Sequence, residues 1–208
     1  MQSSPTRPNA RIADRVLREM FHARKQVFVD ALGWDVPVVE GIYEIDQFDN
    51  HNATYILVTD THGRHRASAR LLLTERPHIL GDLFPCLCEG PVPRSPDLRE
   101  ITRFCVDPGL PTAERRLARN QLVSALADHA LKRNLSGYTA VASRIWYRQI
   151  ARFGWTCFAL GAPCKLNGED LVGLQIGIDQ HTPADLASRD IYVPVSFRVS
   201  EAQTEHAL

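Results

Sequence analysis

The fold class of this chain is decided by residues 98–142, LREITRFCVDPGLPTAERRLARNQLVSALADHALKRNLSGYTAVA. Residues 98–106 are rich in β-branched and aromatic side chains and end at the turn sequence Asp107-Pro108-Gly109, which predicts a strand. Residues 112–134 carry apolar side chains at helical spacing behind an N-terminal threonine, which predicts a helix. Residues 137–142 again have the composition of a strand. A strand, a helix and a second strand in succession indicate a sheet with helices packed on it.

The flanking sequence extends this unit on both sides. Apolar residues recur at helical spacing from Arg11 to Leu32, and residues 33–52 then read as an acidic and aromatic loop. Two strands, 53–60 and 66–74, predict a hairpin. The remaining predictions are a helical turn at 79–84, helices at 144–153 and 182–188, and strands at 156–160, 171–179 and 191–195.

These elements predict one α/β (α+β) domain, in which a single mixed sheet is flanked by helices. We expect the domain to span residues 11–200. The polar, proline-containing residues 1–10 predict a disordered N-terminal tail, and residues 201–208 predict a C-terminal tail.

The charge composition is balanced but unusual. Among 208 residues, 24 Lys and Arg offset 24 Asp and Glu, and 21 of the 24 cations are arginines. Arginine dominates where a planar guanidinium pairs with a carboxylate or phosphate. Zero net charge argues against binding to nucleic acid or to an anionic membrane, so we expect neither partner.

The cysteine content favours a reducing compartment. Five cysteines is an odd number, which argues against a disulfide framework. Cys86 and Cys88 form a C-x-C pair without further ligands at a metal-binding spacing, so we expect reduced thiols and no metal. No secretory signal and no apolar stretch long enough to span a membrane is apparent, so we expect a cytoplasmic protein.

Eight residues between positions 24 and 103 form a pattern that is more informative than any one of them. They are Arg24, Phe28, Trp34, Asp46, Asp49, Arg70, Glu100 and Arg103. Considered singly, each has a structural explanation, such as a core aromatic side chain or an ion pair. Considered together with the surrounding phrases ARKQVFVDALGW, EIDQFDNHNATYILV, LREITRFCVDP and RFGW, they resemble the LuxI-type acyl-homoserine lactone synthases, which make quorum-sensing signals. The resemblance covers roughly residues 15–175.

This resemblance implies a fold similar to that of the GNAT acyltransferases, and it implies a two-step reaction. An acyl thioester is first joined to the amine of S-adenosylmethionine. The methionine carboxylate then displaces methylthioadenosine and closes the lactone ring. S-adenosylmethionine is therefore expected as a substrate, and no cofactor is expected.

The residue types suit this chemistry. The amine must lose a proton before it attacks the thioester, and Glu100 is the candidate base. Aromatic faces and carboxylates stabilise cationic substrate groups. We expect the residues that bind S-adenosylmethionine to be Arg24, Phe28, Trp34, Asp46, Arg103 and Phe104. We expect the catalytic residues to be Glu100, Arg103, Asp46, Asp49 and Arg70.

Glu100 and Arg103 raise a geometric problem. In a regular strand these two side chains point to opposite faces of the sheet, because side chains alternate. Both can border one site only if the strand contains a bulge or a splay near residues 101–104. We therefore predict such an irregularity.

The acyl donor is expected to be an acyl carrier protein. After Asp107-Pro108, Gly109 is followed by no further glycine until Gly137, so the chain lacks a glycine-rich loop that could hold the diphosphate of CoA. Carrier proteins are acidic, and the arginine-rich segment 115–152 offers a docking face, with Arg115, Arg116 and Arg119 as candidates. A solvated helical face explains this segment equally well, and some relatives use acyl-CoA.

The resemblance implies that the acyl chain is selected by the strand after the long helix and by the helix that follows. The candidates are Thr139, Val141, Ser143 and Trp146. An indole at position 146 would narrow the pocket and favour a short, branched or compact acyl group. Alternatively, Trp146 lies in the core or on the surface elsewhere.

Two rival functions share some of these features. A generic N-acyltransferase would use the same fold and base to acylate another amine without forming a lactone. A nucleic-acid-binding module would use the arginine-rich helix 112–134, but no binding motif supports it. We expect the protein to be a monomer.

Overall fold

The computed structural model of the protein describes residues 15–166 and 168–201. An eight-stranded sheet has the strand order β10-β3-β4-β5-β6-β9-β7, with β8 also paired to β9, and β1 pairs with β2 separately. The strands are β1 (Val38–Val39), β2 (Tyr43–Glu44), β3 (Thr54–Thr59), β4 (His65–Leu73), β5 (Leu98–Val106), β6 (Gly137–Ser143), β7 (Thr156–Ala159), β8 (Cys164–Leu166), β9 (Glu169–Gly177) and β10 (Phe197–Glu201). The α-helices are α1 (Arg15–Arg24), α2 (Ile79–Asp82), α3 (Thr112–Lys132), α4 (Arg144–Ile150) and α5 (Thr182–Ala187).

The strand–helix–strand unit of residues 98–142 forms the centre of the molecule. Strands β5 and β6 are parallel, and α3 connects them, whereas the other strand pairs are antiparallel. Buried Leu122 and Leu126 of α3 belong to one apolar cluster with Ile56 and Tyr138 of the sheet. The Tyr138 hydroxyl also donates a hydrogen bond of 2.8 Å to the Leu126 carbonyl. The predicted mixed sheet with flanking helices is confirmed.

The opposite face of the sheet is covered by α1. Met20 and Phe21 of this helix pack against Tyr55, Leu57 and Leu72 of the sheet. The sheet therefore has an α3 face and an α1 face, and consecutive residues of a strand alternate between them.

The N-terminal helix differs in shape from the prediction. The described part of α1 ends at Arg24, and the chain continues as a π-helical segment over Lys25–Ala31. The predicted tail at residues 1–10 and the predicted helical residues 11–14 lie outside the described residues. A π-helical segment is a local irregularity that often occurs at functional sites.

The predicted strand at 191–195 is wrong. These residues are irregular, and the strand that pairs with β3 is β10, Phe197–Glu201. The Tyr192 hydroxyl binds the Asp128 carboxylate at 2.9 Å, and the Val193 amide donates to the Ser124 hydroxyl at 2.8 Å. Because α3 side chains take up these groups, the segment follows the helix before it reaches the sheet edge. Glu201, expected in the C-terminal tail, belongs to β10, and residues 202–208 lie outside the described residues.

Three short strands of the structure were not predicted from the sequence. Strands β1 and β2 lie within the predicted loop 33–52, and β8 pairs with the beginning of β9. Each has only two or three residues, too few for a recognisable alternation of apolar and polar side chains. Within the described ranges, no helix is long and apolar enough to cross a membrane.

The predicted irregularity in β5 is confirmed. Ser68 pairs with Cys105 and Arg70 with Thr102, so one residue of β4 faces two residues of β5. Arg103 occupies this bulge with a φ of 50°. Strands β5 and β6 also separate, because their pairing ends at Ile101 and Ala140 while both strands continue.

Candidate active site

Six charged side chains form a buried ion-pair network between α1 and the sheet. It contains three arginines and three carboxylates: Arg24, Arg70, Arg103, Glu44, Asp46 and Asp49. None of these side chains is more than 8% exposed. An unpaired buried charge costs several kcal/mol, so the equal numbers of opposite charges make the arrangement tolerable.

Arg24 lies at the centre of the network. Its two terminal nitrogens each donate a hydrogen bond of 2.8 Å to Asp49, and its Nε donates one of 2.5 Å to Glu44. Asp49 also accepts a hydrogen bond of 2.9 Å from the Tyr55 hydroxyl. This bidentate geometry is the arrangement for which a guanidinium is suited and an ammonium is not.

Arg70 and Arg103 reach the same carboxylates from β4 and β5. Arg70 binds Asp46 in bidentate fashion at 2.6 and 3.0 Å and donates through Nε to the Thr102 hydroxyl at 2.9 Å. Arg103 donates to Glu44 at 2.9 Å and to Asp46 at 2.7 Å. Asp46 and Glu44 therefore each hold two arginines together.

The two aspartates are positioned by a tight turn after β2. The Phe48 amide donates to Asp46 Oδ1 at 2.8 Å, and the Asp46 amide donates to Asp49 Oδ2 at 2.9 Å. Short carboxylate side chains favour such turns because they can accept hydrogen bonds from nearby backbone amides. The spacing of Asp46 and Asp49 thus follows from local structure.

An aromatic pair lies beside Arg103. Phe28 and Trp34 are stacked, with ring centroids 4.8 Å apart and planes 23° from parallel. The Arg103 guanidinium carbon lies 5.5 Å from the Phe28 centroid and 5.6 Å from the Trp34 centroid. Phe28 is buried, whereas Trp34 is 37% exposed.

Backbone geometry after the π-helical segment brings the two rings together. The Trp34 amide donates to the Phe28 carbonyl at 2.8 Å, and Gly33 has a φ of 67°. Glycine adopts this left-handed conformation without the steric penalty of a side chain. The resulting turn brings the Trp34 side chain against the ring of Phe28.

The network holds its groups in their charged forms. Burial disfavours the charge on Arg24, but Asp49 and Glu44 outweigh it and raise the pKa of the guanidinium. Burial likewise opposes ionisation of Asp49, but Arg24 and Arg70 lower its pKa well below the usual range. In both groups the attraction between paired charges outweighs the cost of burial, so each charge depends on its partners.

Glu100 lies on the same face of the sheet but outside the network. Its side chain is buried and accepts backbone hydrogen bonds from Ile79 at 2.8 Å and Leu80 at 2.6 Å. Because the bulge adds one residue to β5, Glu100, Thr102 and Arg103 all face α1. The two residues that a regular strand would separate thus border the same side of the sheet.

The environment of Glu100 suits a proton acceptor. Burial raises the pKa of its carboxyl to about 7, although the amides of Leu80 and Ile79 partly offset the effect of burial. A base with a pKa near the working pH is the most effective in proton transfer. Thr139, which pairs with Glu100 from the adjacent strand β6, has a buried hydroxyl without a hydrogen-bond partner among the described residues.

The four acyl-pocket candidates do not share one location. Thr139 and Val141 face α1, whereas Trp146 belongs to the cluster on the α3 face. Phe104, expected near S-adenosylmethionine, contacts Trp146 at a centroid distance of 5.7 Å on this α3 face. Ser143 caps α4 by accepting a hydrogen bond of 3.3 Å from the Trp146 amide. The sheet itself separates the two groups, because they lie on its opposite faces.

The arginines proposed for docking lie on the first half of α3. Arg115 and Arg116 are exposed, and Arg119 is half-buried with its guanidinium 5.3 Å from the Phe153 centroid. The preceding loop is closed on itself, because the Gly109 amide donates to Asp107 Oδ1 at 2.8 Å. A carboxylate therefore already occupies the Gly109 amide, whereas the first amides of α3 have no side-chain cap.

Three residues of the site were missed. Glu44 joins Arg24 to Arg103, Tyr55 binds Asp49, and Thr102 binds Arg70. Counting charges does not identify Glu44, because Asp46, Asp49 and Glu100 already balance the three arginines of the predicted pattern. Tyr55 and Thr102 carry no distinctive pattern in the sequence.

A family model described as "Autoinducer synthase" matches residues 9–186 of the chain. An acyl-homoserine-lactone synthase of Ralstonia nicotianae (strain ATCC BAA-1114 / GMI1000) is 34% identical over 184 residues, which cover 85% of this chain and 89% of the relative.

Three solved structures illustrate the similarity of fold. TofI, in a ternary complex with an inhibitor and MTA, is 30% identical with a TM-score of 0.70, over 82% of this chain and 88% of TofI. MesI, a CoA-dependent acyl-homoserine lactone synthase, is 27% identical with a TM-score of 0.74, over 86% of this chain and 90% of MesI. FeeM, an N-acyl amino acid synthase from uncultured soil microbes, is 11% identical with a TM-score of 0.55, over 87% of this chain and 97% of FeeM, a likeness of fold alone.

Proposed function

This chain belongs to the autoinducer synthase family, and we propose that the site on its α1 face joins an acyl group to S-adenosylmethionine. It is an acyl-homoserine lactone synthase, which acylates the amine of S-adenosylmethionine and then closes the lactone with release of methylthioadenosine. The observation that supports this site is the bulge in β5, which brings Glu100 and Arg103 to one face beside the stacked aromatic pair. The rival reading, acylation of another amine without lactone formation, is not favoured.

Glu100 is the base of the acylation step in this proposal. The substrate ammonium gives its proton to the carboxylate, directly or through one water, and the free amine attacks the thioester carbon. The carbon–sulfur bond then breaks, the sulfur leaves with the bonding electrons, and it takes up the second proton that the amine nitrogen loses, so that an amide and a free thiol result. A pKa of about 7 leaves a large share of Glu100 ionised at neutral pH and still basic enough to take the proton.

The aromatic pair and Arg103 are proposed to bind the two ends of the methionine group. The exposed face of Trp34 can stabilise the sulfonium cation through its ring electrons. Arg103 borders both the rings and the carboxylates, so it is the guanidinium best placed to pair with the substrate carboxylate. Arg24, Arg70 and Asp49 are at most 1% exposed, whereas Arg103 is 8% exposed, so we assign the first three the role of keeping Asp46 and Arg103 in place.

Lactone closure needs little besides a folded substrate. The substrate carboxylate attacks the carbon that bears the sulfonium, a new carbon–oxygen bond forms, and methylthioadenosine leaves with the bonding electrons. Holding the nucleophile and the leaving group in one molecule supplies most of the acceleration of such a ring closure. The site therefore has to bind a bent substrate and exclude water.

An acyl carrier protein is proposed as the donor. The loop at Asp107–Gly109 has no glycine-rich stretch, its Gly109 amide is already paired with Asp107, and exposed arginines lie on the α3 surface beside it. Leu117 of α3 and Ile145 of α4, which are 44% and 73% exposed, add apolar surface to the helices that carry these arginines. Because MesI is CoA-dependent, acyl-CoA is the alternative donor that the test must include.

The remaining proposals concern the location of the protein, the extent of its domain and its assembly. Five free cysteines support a reducing compartment, so we propose a cytoplasmic location. We also propose that one domain over residues 11–200 carries the whole activity and that the protein acts as a monomer.

Product analysis tests the reaction and the donor together. Purified protein is incubated with S-adenosylmethionine and a panel of acyl groups, each supplied on acyl carrier protein and on CoA. Mass spectrometry should detect an acyl-homoserine lactone and methylthioadenosine in equal amounts, with higher kcat/KM for the carrier protein. An N-acyl product without methylthioadenosine would contradict the lactone synthase assignment, and faster turnover with acyl-CoA would contradict the carrier assignment.

A further inference from the structure

The support of Glu100 comes from a helix that is too short to be stable alone. Helix α2 has four residues, and its first two amides, those of Ile79 and Leu80, both donate to the Glu100 carboxylate. The residue in the N-cap position, His78, makes no side-chain hydrogen bond to the helix amides. Glu100 therefore caps α2 from a neighbouring strand, and the position of its carboxylate depends on what holds α2 in place.

Two contacts hold this turn. Leu80 is fully buried and packs toward Gly173 on β9. On the other side, the fully buried His78 imidazole lies over Gly81: a β-carbon at position 81 would be 2.5 Å from His78 Cε1. Contacts that short do not occur, so the imidazole can pack directly against the backbone of residue 81 only because that residue is glycine.

The hydrogen bonding of His78 defines its state. Its Nδ1 is 2.8 Å from the Arg76 carbonyl, which can only accept, so Nδ1 carries the proton. Its Nε2 is then an acceptor, and it is buried without a partner among the described residues. Burial lowers the pKa of this imidazole, and Arg94 lowers it further, while the Arg76 carbonyl and the Asp82 carboxylate oppose the shift. His78 is thus a neutral ring fixed by one bond to the turn before α2.

We propose that His78 is a positioning residue for the acylation step: its imidazole ties residue 76 to Gly81 and so aims the Ile79 and Leu80 amides at Glu100. This inference depends on the proposed role of Glu100 as the base. The two amides favour the ionised carboxylate, so their displacement would make Glu100 harder to ionise. The base would then act only at higher pH.

Two substitutions separate the bond to Arg76 from the bulk of the ring. In His78→Asn the side-chain amide nitrogen can take the place of Nδ1 and keep the bond to the Arg76 carbonyl. In His78→Gln the amide nitrogen corresponds to Nε2, so the bond is lost. Gly81→Ala leaves His78 unchanged but forces the ring away. His181→Ala removes an exposed histidine and serves as the control.

The pH dependence of kcat and the melting temperature are measured for each variant under saturating substrates. His78→Gln and Gly81→Ala should move the acidic midpoint of the kcat profile upward by about one pH unit with little change in KM for S-adenosylmethionine. The control should keep the midpoint of the unsubstituted protein, and His78→Asn, which keeps the bond to the Arg76 carbonyl but not the ring over Gly81, should move it less than His78→Gln does. Lower melting temperatures without a change of midpoint would mean a merely structural role and would overturn the proposal.

Glu100→Gln distinguishes this failure from failure of the proposed function. If Glu100→Gln keeps normal acylation, Glu100 is not the base and both proposals fall. If Glu100→Gln is inactive while the His78 and Gly81 variants keep the original midpoint, only the role of His78 is refuted.

Discussion

Arg103 combines an unfavourable backbone with a necessary side chain. A left-handed conformation costs a non-glycine residue roughly 1 kcal/mol or more, and Arg103 adopts it with a φ of 50°. Its guanidinium in return pairs with Glu44 and Asp46 and borders both aromatic rings. Glycine would fit the backbone at position 103 better, but it could not bind the carboxylates.

Asp49 should be among the most sensitive positions for stability. Replacing it with Asn leaves Arg24 buried without its bidentate partner, and the free energy of unfolding should fall by about 3–5 kcal/mol. Asp30→Asn, which breaks the more exposed pair with Lys25, should cost less than about 1 kcal/mol. Urea unfolding at pH 7 measures both, and equal losses would contradict the burial argument. Because the pKa of Asp49 is lowered in the folded state, its stabilisation should disappear as the pH falls toward the acid range.

Glu100 should destabilise the fold at high pH. Its pKa is about 7 in the folded protein against an ordinary value of 4.5, so the folded state holds a proton that the unfolded state has lost between these values. Stability should therefore decline as the pH rises through that window. Relative to the unsubstituted protein, Glu100→Gln should gain up to about 3 kcal/mol between pH 4 and pH 8, while its kcat should fall by about 100-fold or more. A stability difference that does not vary with pH would refute the raised pKa.

At the scale of elements, the bulge and the splay in β5 act together. The bulge turns Arg103 toward α1, and the end of pairing at Ile101 and Ala140 opens a gap between two strands that remain parallel neighbours. Glu100 lies at the last paired positions before this gap. An acyl thioester that enters through the gap would meet Glu100 on one side and the aromatic cluster of the α3 face on the other.

Trp146 borders that cluster and should limit the acyl chain. Its ring lies 5.7 Å from Phe104 and 5.9 Å from Phe153 between ring centroids. Trp146→Ala should raise kcat/KM for long acyl donors relative to short ones by about tenfold, because each buried methylene adds roughly 1 kcal/mol. Ile145→Ala, at a residue that is 73% exposed, is the control. An unchanged product profile would place the acyl chain elsewhere.

At the scale of the whole molecule, the zero net charge conceals two separate charge distributions. The ion-pair network is internally neutral and buried under α1, whereas exposed arginines are concentrated on α3 and α4. From residue 111 to residue 155 the chain has eight cations and two acidic residues. A uniform description as a neutral protein would miss this basic face.

Charge reversal tests whether the basic face binds the donor. Arg115→Glu combined with Arg116→Glu should raise the apparent KM for an acyl carrier protein roughly five- to tenfold and leave the KM for S-adenosylmethionine unchanged. Lys165→Glu on β8 reverses an exposed charge away from α3 and is the control. The effect should weaken as salt increases, because exposed charges are screened. Equal effects on both substrates, or none, would exclude docking at this face.

The fold class, the central strand–helix–strand unit, the eight-residue pattern and the need for an irregular β5 could all be predicted from the linear sequence. These features follow from local periodicity and from side-chain alternation, which act over a few residues. The sequence did not determine that residues 191–195 follow α3 instead of the sheet, because that choice depends on hydrogen bonds to Ser124 and Asp128 far away in the chain.

Only the tertiary structure decided how the charges of the site are paired. Glu44 joins two arginines that are 20 and 59 residues away, and Phe104 packs on the opposite face from Phe28 and Trp34. The raised pKa of Glu100 likewise arises from its burial, which two amides about 20 residues earlier in the chain partly offset. Pairing and burial depend on which distant segments the fold brings together, whereas propensity and alternation are already present in the linear chain.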